Sequence, residues 1–190
     1  NPDIYKVIPW NDTMINVELL EEVFDLALTP NVATHYVFSN WVRKGQYNRL
    51  LAEEYANHCR CDLGDYFIGK ENIDGLPENY MTFHPTSGKG QWEGRRYDDW
   101  QEVLDNLKSL YPDLKIVQVG SVDESQFKNI DVDLRGKTNY QQLATVVEKS
   151  LLHLSPDTFS MHLAAALNVP LVSIFGGSLV SSTSPWYKDR

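Results

Sequence analysis

The chain has 190 residues, 42% of them hydrophobic, which is enough length and apolar content to bury a full core as one domain or somewhat more. A formal charge of −9 and a pI near 4.9 exclude nucleic acid as the main partner, because a phosphate backbone calls for a basic face. A small anionic ligand is not excluded, since screening over about 8 Å at physiological salt lets one local lysine outweigh distant acids.

No run of about 18 apolar residues is present. The opening stretch NPDIYKVIPWND lacks the basic and apolar regions of a signal peptide, so a cytosolic protein is expected, and the missing initiator Met suggests a fragment or an excised domain. Residues 16–28 carry Leu19, Leu20, Val23, Phe24 and Ala27 at helical spacing, and residues 47–59 repeat the pattern with Tyr47, Leu50, Leu51 and Tyr55. Between them VATHYVF reads as a short strand and NWVRKGQ as a loop. His58, Cys59 and Cys61 give three soft ligands where a structural zinc site needs four, so the bland reading is two reduced thiols at a helix end and no metal. The turn formers of GKENIDGLPEN (69–79) mark a linker, which divides the chain into a partial N-terminal region, 1–78, and a second domain, 79–190.

Past the linker the pattern becomes regular. YMTFH (80–84) predicts a buried strand, and YDDWQEVLDNLKSLY a helix with Trp100, Val103, Leu104 and Leu107 on one face, broken by Pro112 and Asp113. LKIVQVG (114–120) predicts a strand and IDVDLRG a third, short one. NYQQLATVVEKS (139–150) is a helix capped by Asn139 or Thr138. LLHLS (151–155), TFSMHLAAALN (158–168) and LVSIFG (171–176) add a strand, a helix and a strand. Strands alternating with helices of this length imply parallel βαβ units, hence an α/β fold built on a doubly wound parallel sheet. Ligands of such sheets sit beyond the carboxyl ends of the strands.

The loops at that edge carry the candidate chemistry. In SPDTFSMH, Asp157 or Thr158 can cap the following helix, whose N-terminus offers free N–H groups and about half a positive charge to a phosphate. Thr158 and His162 are four residues apart and so share a helix face, while Asp157 can accept hydrogen bonds from ligand hydroxyls. The plainer alternative makes Asp157 a cap only and His162 a satisfied core histidine. HPTSGKGQW supplies the Thr86 and Ser87 hydroxyls and the Lys89 ammonium, a composition suited to phosphate although it lacks P-loop spacing; as a bare loop it is an ordinary solvated turn. His84 reads as a structural residue at a strand end rather than a catalyst. Glu124 in VGSVDE lies where a carboxylate can bind the paired hydroxyls of a ribose, or serve as a surface acid. Arg95 and Arg96 offer charge for a diphosphate, and Trp92, Tyr97 and Trp100 read as packing residues.

Taken in order, FHPTSGKGQW, VGSVDE, DLRGKT and SPDTFSMHLAAALNVPLVSIFG resemble the C-terminal half of the family 9 glycosyltransferases, the heptosyltransferases of lipopolysaccharide assembly, over about residues 79 to 186. The resemblance implies a GT-B fold of two Rossmann-like domains, the N-terminal one incomplete here. It implies an inverting, metal-independent transfer from a nucleoside-diphosphate sugar, ADP-heptose in the best-known members, to a glycan or lipid-linked acceptor, in the cytoplasm and peripheral to the inner membrane. It implies no cofactor beyond the sugar nucleotide itself. It assigns Thr86, Ser87 and Lys89 to the diphosphate, Glu124 to the ribose, Asp157 to sugar hydroxyls, and Thr158, Phe159 and His162 to the donor site; Phe159 stands where the family usually has glycine. The general base is expected in the N-terminal domain. The rival readings are a non-catalytic module that binds a nucleotide or sugar nucleotide, and a GT-B nucleotide-sugar epimerase.

Overall fold

A computed structural model describes residues 62–64, 68–87 and 94–187, together with positions 50, 52, 53 and 56. The expected helix at 16–28, the strand VATHYVF, the His58 to Cys61 cluster, Lys89 and Trp92 lie outside the described residues; within the expected 47–59 helix, Ala52, Glu53 and Ala56 are helical. Residues 63–190 fall in one compact unit with Tyr47–Ala52, and the description below is of that unit.

Its elements are β1 (Tyr80–Phe83), α1 (Trp100–Leu110), β2 (Lys115–Gln118), β3 (Val132–Asp133), α2 (Tyr140–Glu148), β4 (His153–Pro156), α3 (Phe159–Ala166), β5 (Leu171–Ile174) and α4 (Val180–Thr183). The strands form one sheet in the order β3-β2-β1-β4-β5, every pair parallel, as the alternating sequence pattern predicts. This is the Rossmann-like, doubly wound arrangement, in which the order reverses between β1 and β4. Short α4 was not foreseen; its sequence VSST has no apolar periodicity.

Parallel strands are buried on both faces, and β1 is buried throughout. Alternate residues of β1 and β2 divide between two cores. Tyr80, Val117 and Val119 meet Leu143, Val146 and Val147 of α2 and Ala164 of α3. Met81, Phe83 and Ile116 meet Trp100 and Leu104 of α1 on the opposite face, with Val103 and Leu107 packed against them. The helical stripe read from the sequence is therefore the buried one.

Helix α2 starts at Asn139, not Thr138. The Asn139 side chain accepts from the Gln142 N–H (2.8 Å), and the Gln142 side chain accepts from the Asn139 N–H (3.1 Å), a reciprocal capping box. Glu71 accepts from both amide side chains, and Ile73 and Leu76 pack on the α2 core, so the turn-rich 69–79 segment is held against the sheet unit rather than standing free of it. Around α3 the sequence reading needs correction: Thr158 occupies the N-cap position, but neither it nor Asp157 makes a side-chain capping bond.

Leu104 is fully buried while Leu110, on the same helix, is exposed. Leu104→Ala should cost about 2–5 kcal/mol of unfolding free energy, and Leu110→Ala less than about 0.5 kcal/mol. Urea denaturation of both variants checks this, and equal effects would contradict the assigned face.

Candidate functional site

A cavity of about 710 Å³ opens at the carboxyl ends of the strands. Thr86 and Ser87 enter it from the loop after β1, Gly120 and Glu124 from the turn after β2, and Thr158 and Phe159 from the start of α3. Its size is that of a small-ligand site. Five of the residues singled out from the sequence thus share one wall: Thr86, Ser87, Glu124, Thr158 and Phe159. Asp157 and His162 are not among the described residues lining it.

Neighbouring bonds fix each loop. Trp100 donates its indole N–H to the Pro85 carbonyl at 3.0 Å, which pins the chain just before Thr86. The Trp100 ring also meets Phe83 and Tyr97 edge-on, so both aromatics do the packing expected of them. Arg135 grips Asp133 through two hydrogen bonds and donates to the Glu124 carbonyl, bracing the turn after β2 from behind.

Glu124 is turned inward, its side chain only 9% exposed. Oε1 accepts from the Ser121 N–H at 2.9 Å and faces His84 Nε2 at 3.3 Å, whereas Oε2 is buried with no hydrogen-bond partner. Burial is the largest influence on this carboxyl and pushes its pKa up. The hydrogen bond and charge of His84, with the Ser121 N–H and the Thr86 hydroxyl, outweigh burial and hold the pKa below the ordinary carboxylate value. Only glycine fits at position 120: its φ of +133° lies outside the range of L side chains, and an added Cβ would stand 2.4 Å from Glu124 Oε2.

Asp157 anchors a second cluster. Its carboxylate is buried, accepts from the Ser178 hydroxyl at 2.5 Å and pairs with Arg95 Nη1 at 3.3 Å. A Cβ on Gly176 would lie 2.6 Å from the Gly94 carbonyl, so the glycine after β5 lets the 94–95 segment close in and deliver Arg95. Arg95 is thus an ion-pair partner for Asp157 rather than a solvated cation, while Arg96 is largely exposed near Asp98. His162 is exposed and not the satisfied core histidine of the plainer reading. Partial desolvation lowers its pKa, the Arg95 charge acts in the same sense, and Asp157 opposes both.

The sequence marks His84 as a structural residue at a strand end, and it is buried here, whereas His153, Ser160 and Ser178 were not singled out. The signal for His153 and Ser160 was a polar side chain set in a buried segment: both are buried, and a buried polar group has to find a partner. Among the described residues no helix is long and apolar enough to cross a membrane, and no group of three or more His, Cys, Asp or Glu side chains could hold a metal ion.

A Rossmann-like parallel sheet with a cavity at its carboxyl edge, walled by hydroxyls, a carboxylate and a helix N-terminus, defines a doubly wound α/β unit. The sequence model described as glycosyltransferase family 9 (heptosyltransferase) matches residues 70–190. The chain belongs to this family. Lipopolysaccharide heptosyltransferase 3 of Escherichia coli is 23% identical over 125 residues, 59% of this chain and 35% of that protein, so the chain spans about a third of that relative. Among solved structures, a family 9 glycosyltransferase of Veillonella parvula superposes with a TM-score of 0.57 at 19% identity, covering 73% of this chain and 47% of that one. The dodecameric iron-containing heptosyltransferase TibC of enterotoxigenic E. coli, in complex with ADP-D-beta-D-heptose, gives 0.57 at 16% identity over 75% and 39%. At these identities the structural likeness is one of fold.

Because the folded-state pKa of Glu124 lies below its unfolded value, its pairing stabilises the fold above the ordinary carboxylate range and is lost as pH falls through the depressed value. Glu124→Gln should therefore flatten part of the acid limb of the stability profile; Asp131 and Asp133, shifted in the same direction, keep the remainder. Urea denaturation across the acid range checks this, and an unchanged acid slope would contradict the Glu124 pairing.

Proposed function

We propose that the chain is the donor-binding part of an inverting glycosyltransferase that takes a sugar from a nucleoside-diphosphate sugar of the ADP-heptose kind and passes it to a hydroxyl of a glycan or lipid-linked acceptor. The observation that carries the proposal is the cavity at the carboxyl edge, which gathers Thr86, Ser87, Glu124 and the N-terminus of α3 on one wall. Family membership supports it, as does the sugar nucleotide named in the TibC complex.

In this reading Thr86, Ser87 and Lys89 hold the diphosphate with the free N–H groups at the start of α3, whose dipole favours an anion. Glu124 accepts from the ribose hydroxyls, for which its unpartnered Oε2 must turn outward. A sugar hydroxyl replaces that of Ser178 on Asp157, and Thr158 and His162 flank the donor. Phe159, half exposed and in edge contact with His84, forms the wall that a glycine would leave open. The acceptor oxygen attacks the anomeric carbon opposite the diphosphate. Its bond to that carbon forms as the bond to the phosphate oxygen breaks, and the electron pair leaves with the diphosphate. A base outside residues 79–190 takes the acceptor proton. Lys89 and the helix terminus stabilise the departing charge, so the scheme requires no metal step and no cofactor. A lipid-linked acceptor would place this work at the cytoplasmic membrane surface.

The inward engagement of both carboxylates favours one rival, a module that binds the nucleotide and transfers nothing. Calorimetric titration with ADP, GDP and UDP tests the shared element. One nucleotide should bind, and Lys89→Ala should weaken it at least about tenfold, the scale of one charge-assisted hydrogen bond, while hardly affecting the bare nucleoside. Asp157→Ala should leave the affinity for the nucleoside diphosphate within about threefold, since that side chain is assigned to the sugar. Equal losses for nucleotide and nucleoside in Lys89→Ala would remove the phosphate role.

A further inference from the structure

Behind the cavity wall an unbroken hydrogen-bond chain crosses the sheet. It runs from the Val147 carbonyl to Ser150 Oγ (2.7 Å), Thr82 Oγ1 (3.1 Å), His153 Nδ1 (2.8 Å), and from His153 Nε2 to Ser160 Oγ (2.9 Å), His84 Nδ1 (2.8 Å), and from His84 Nε2 to Glu124 Oε1 (3.3 Å). All its side chains but Glu124 are buried, and Glu124 is nearly so. It joins β1, β4, the segment after α2, and α3 to the turn after β2.

Counting hydrogens gives the chain a direction. Ser150 has one, donated to the Val147 carbonyl, so at the 3.1 Å contact the donor must be Thr82. The hydrogen of Thr82 is then spent, and its longer alternative, the Leu152 carbonyl at 3.4 Å, spends it equally. His153 Nδ1 must therefore carry the hydrogen of the 2.8 Å contact with Thr82. Burial pushes the His153 pKa down to about 3, with the charge of His84 acting in the same sense, so the ring is neutral and Nε2 is bare. Nε2 accepts from Ser160, whose only hydrogen is now used, and His84 Nδ1 must donate to Ser160. At the far end His84 Nε2 faces Glu124 Oε1, two acceptors unless a proton lies between them. With the direction reversed, the contact between Thr82 and Ser150 would hold no hydrogen; as drawn each link of the chain holds one, and only the longer approach of Thr82 to the Leu152 carbonyl (3.4 Å) is left empty.

We infer that this chain keeps hydrogen on both ring nitrogens of His84 and makes His84, acting through Glu124, a positioning residue for the cavity. The imidazolium offsets the carboxylate, so a diphosphate approaching the wall meets a compensated pair rather than a bare negative charge. Among the described residues the titratable and charged groups set against the pair are His153 from β4 and Arg135 after β3, whose charge also acts on Glu124. The use made of Glu124 rests on the donor-binding reading; the direction of the chain does not.

Long-range nitrogen–proton correlation spectra of the histidine-labelled chain near neutral pH test the direction. They should show His153 as the neutral Nδ1–H tautomer, the less common form, and His84 with both nitrogens protonated. An Nε2–H tautomer at His153, or a singly protonated His84, overturns the inference. Ser160→Ala, which touches no cavity atom in this scheme, should weaken ADP binding about tenfold by releasing His84, and His84→Gln, which keeps a donor toward Glu124, should bind ADP better than His84→Phe. Unchanged ADP affinity in a folded Ser160→Ala also overturns it. Should Ser160→Ala fail to fold, the tautomer of His153 decides; should the unaltered chain bind no nucleotide, the donor-binding reading falls and the tautomer still decides the chain's direction.

Discussion

The pairing of β1 with β4 places Thr82 beside His153, and much else depends on that contact. At this pair the strand order reverses, so the loops that follow β1 and β4 part from each other and leave the crevice in which the cavity lies. A hydroxyl and an imidazole buried here would each cost a few kcal/mol without a partner. The partner of the imidazole beyond the strands is Ser160, the second residue of α3, so the bonds that satisfy the sheet also set the height and rotation of α3. The N-terminus of α3, with Thr158 and Phe159 in the cavity wall, is placed by the same interactions that hold His84 beside Glu124.

The two carboxylates of the crevice are held by different means. Asp157 has a permanent cation, Arg95, and a hydroxyl, Ser178. Glu124 has an imidazole, one backbone N–H and the nearby Thr86 hydroxyl, and leaves one buried oxygen without a close hydrogen-bond partner. An unpaired buried acceptor is a source of free energy that a ligand hydroxyl can release, provided the side chain turns toward it. Each carboxylate depends on a glycine for its seat. Gly120 admits the Glu124 carboxylate against the backbone, and Gly176 admits the segment carrying Arg95. The short motifs VGS and FGG are therefore packing requirements of the site and not only turns.

The sheet was legible because its elements obey local rules. A continuous buried run in YMTF, a helical stripe from Trp100 to Leu107, and a capping box at Asn139 leave little freedom, and strands alternating with helices leave one architecture. The loop residues were legible as positions at the carboxyl edge, which brought Thr86, Ser87, Glu124, Thr158 and Phe159 to one cavity. Orientation was not legible. Whether Glu124 faces ligand or His84, and whether Asp157 meets Arg95, depends on contacts between residues tens of positions apart, which periodicity does not encode. His84 could be read as structural from its place at a strand end, and it is buried as expected; its bond to Glu124 was hidden because both partners lie in loops. The buried His153 inside LLHLS was the one local clue, since an imidazole in a strand core requires a polar neighbour.

The most direct test of the central claim, that the carboxyl edge of this sheet is a nucleotide site, is amide chemical-shift mapping of the chain titrated with ADP. Shifts should concentrate at residues 84–87, 120–124, 138–140 and 158–159, the segments that line the cavity, and leave the amides of β5 and the outer face of α1 unmoved. Saturable shifts confined to another part of the unit would contradict the assignment of the cavity, and no shifts at saturating ADP would contradict nucleotide binding by this chain.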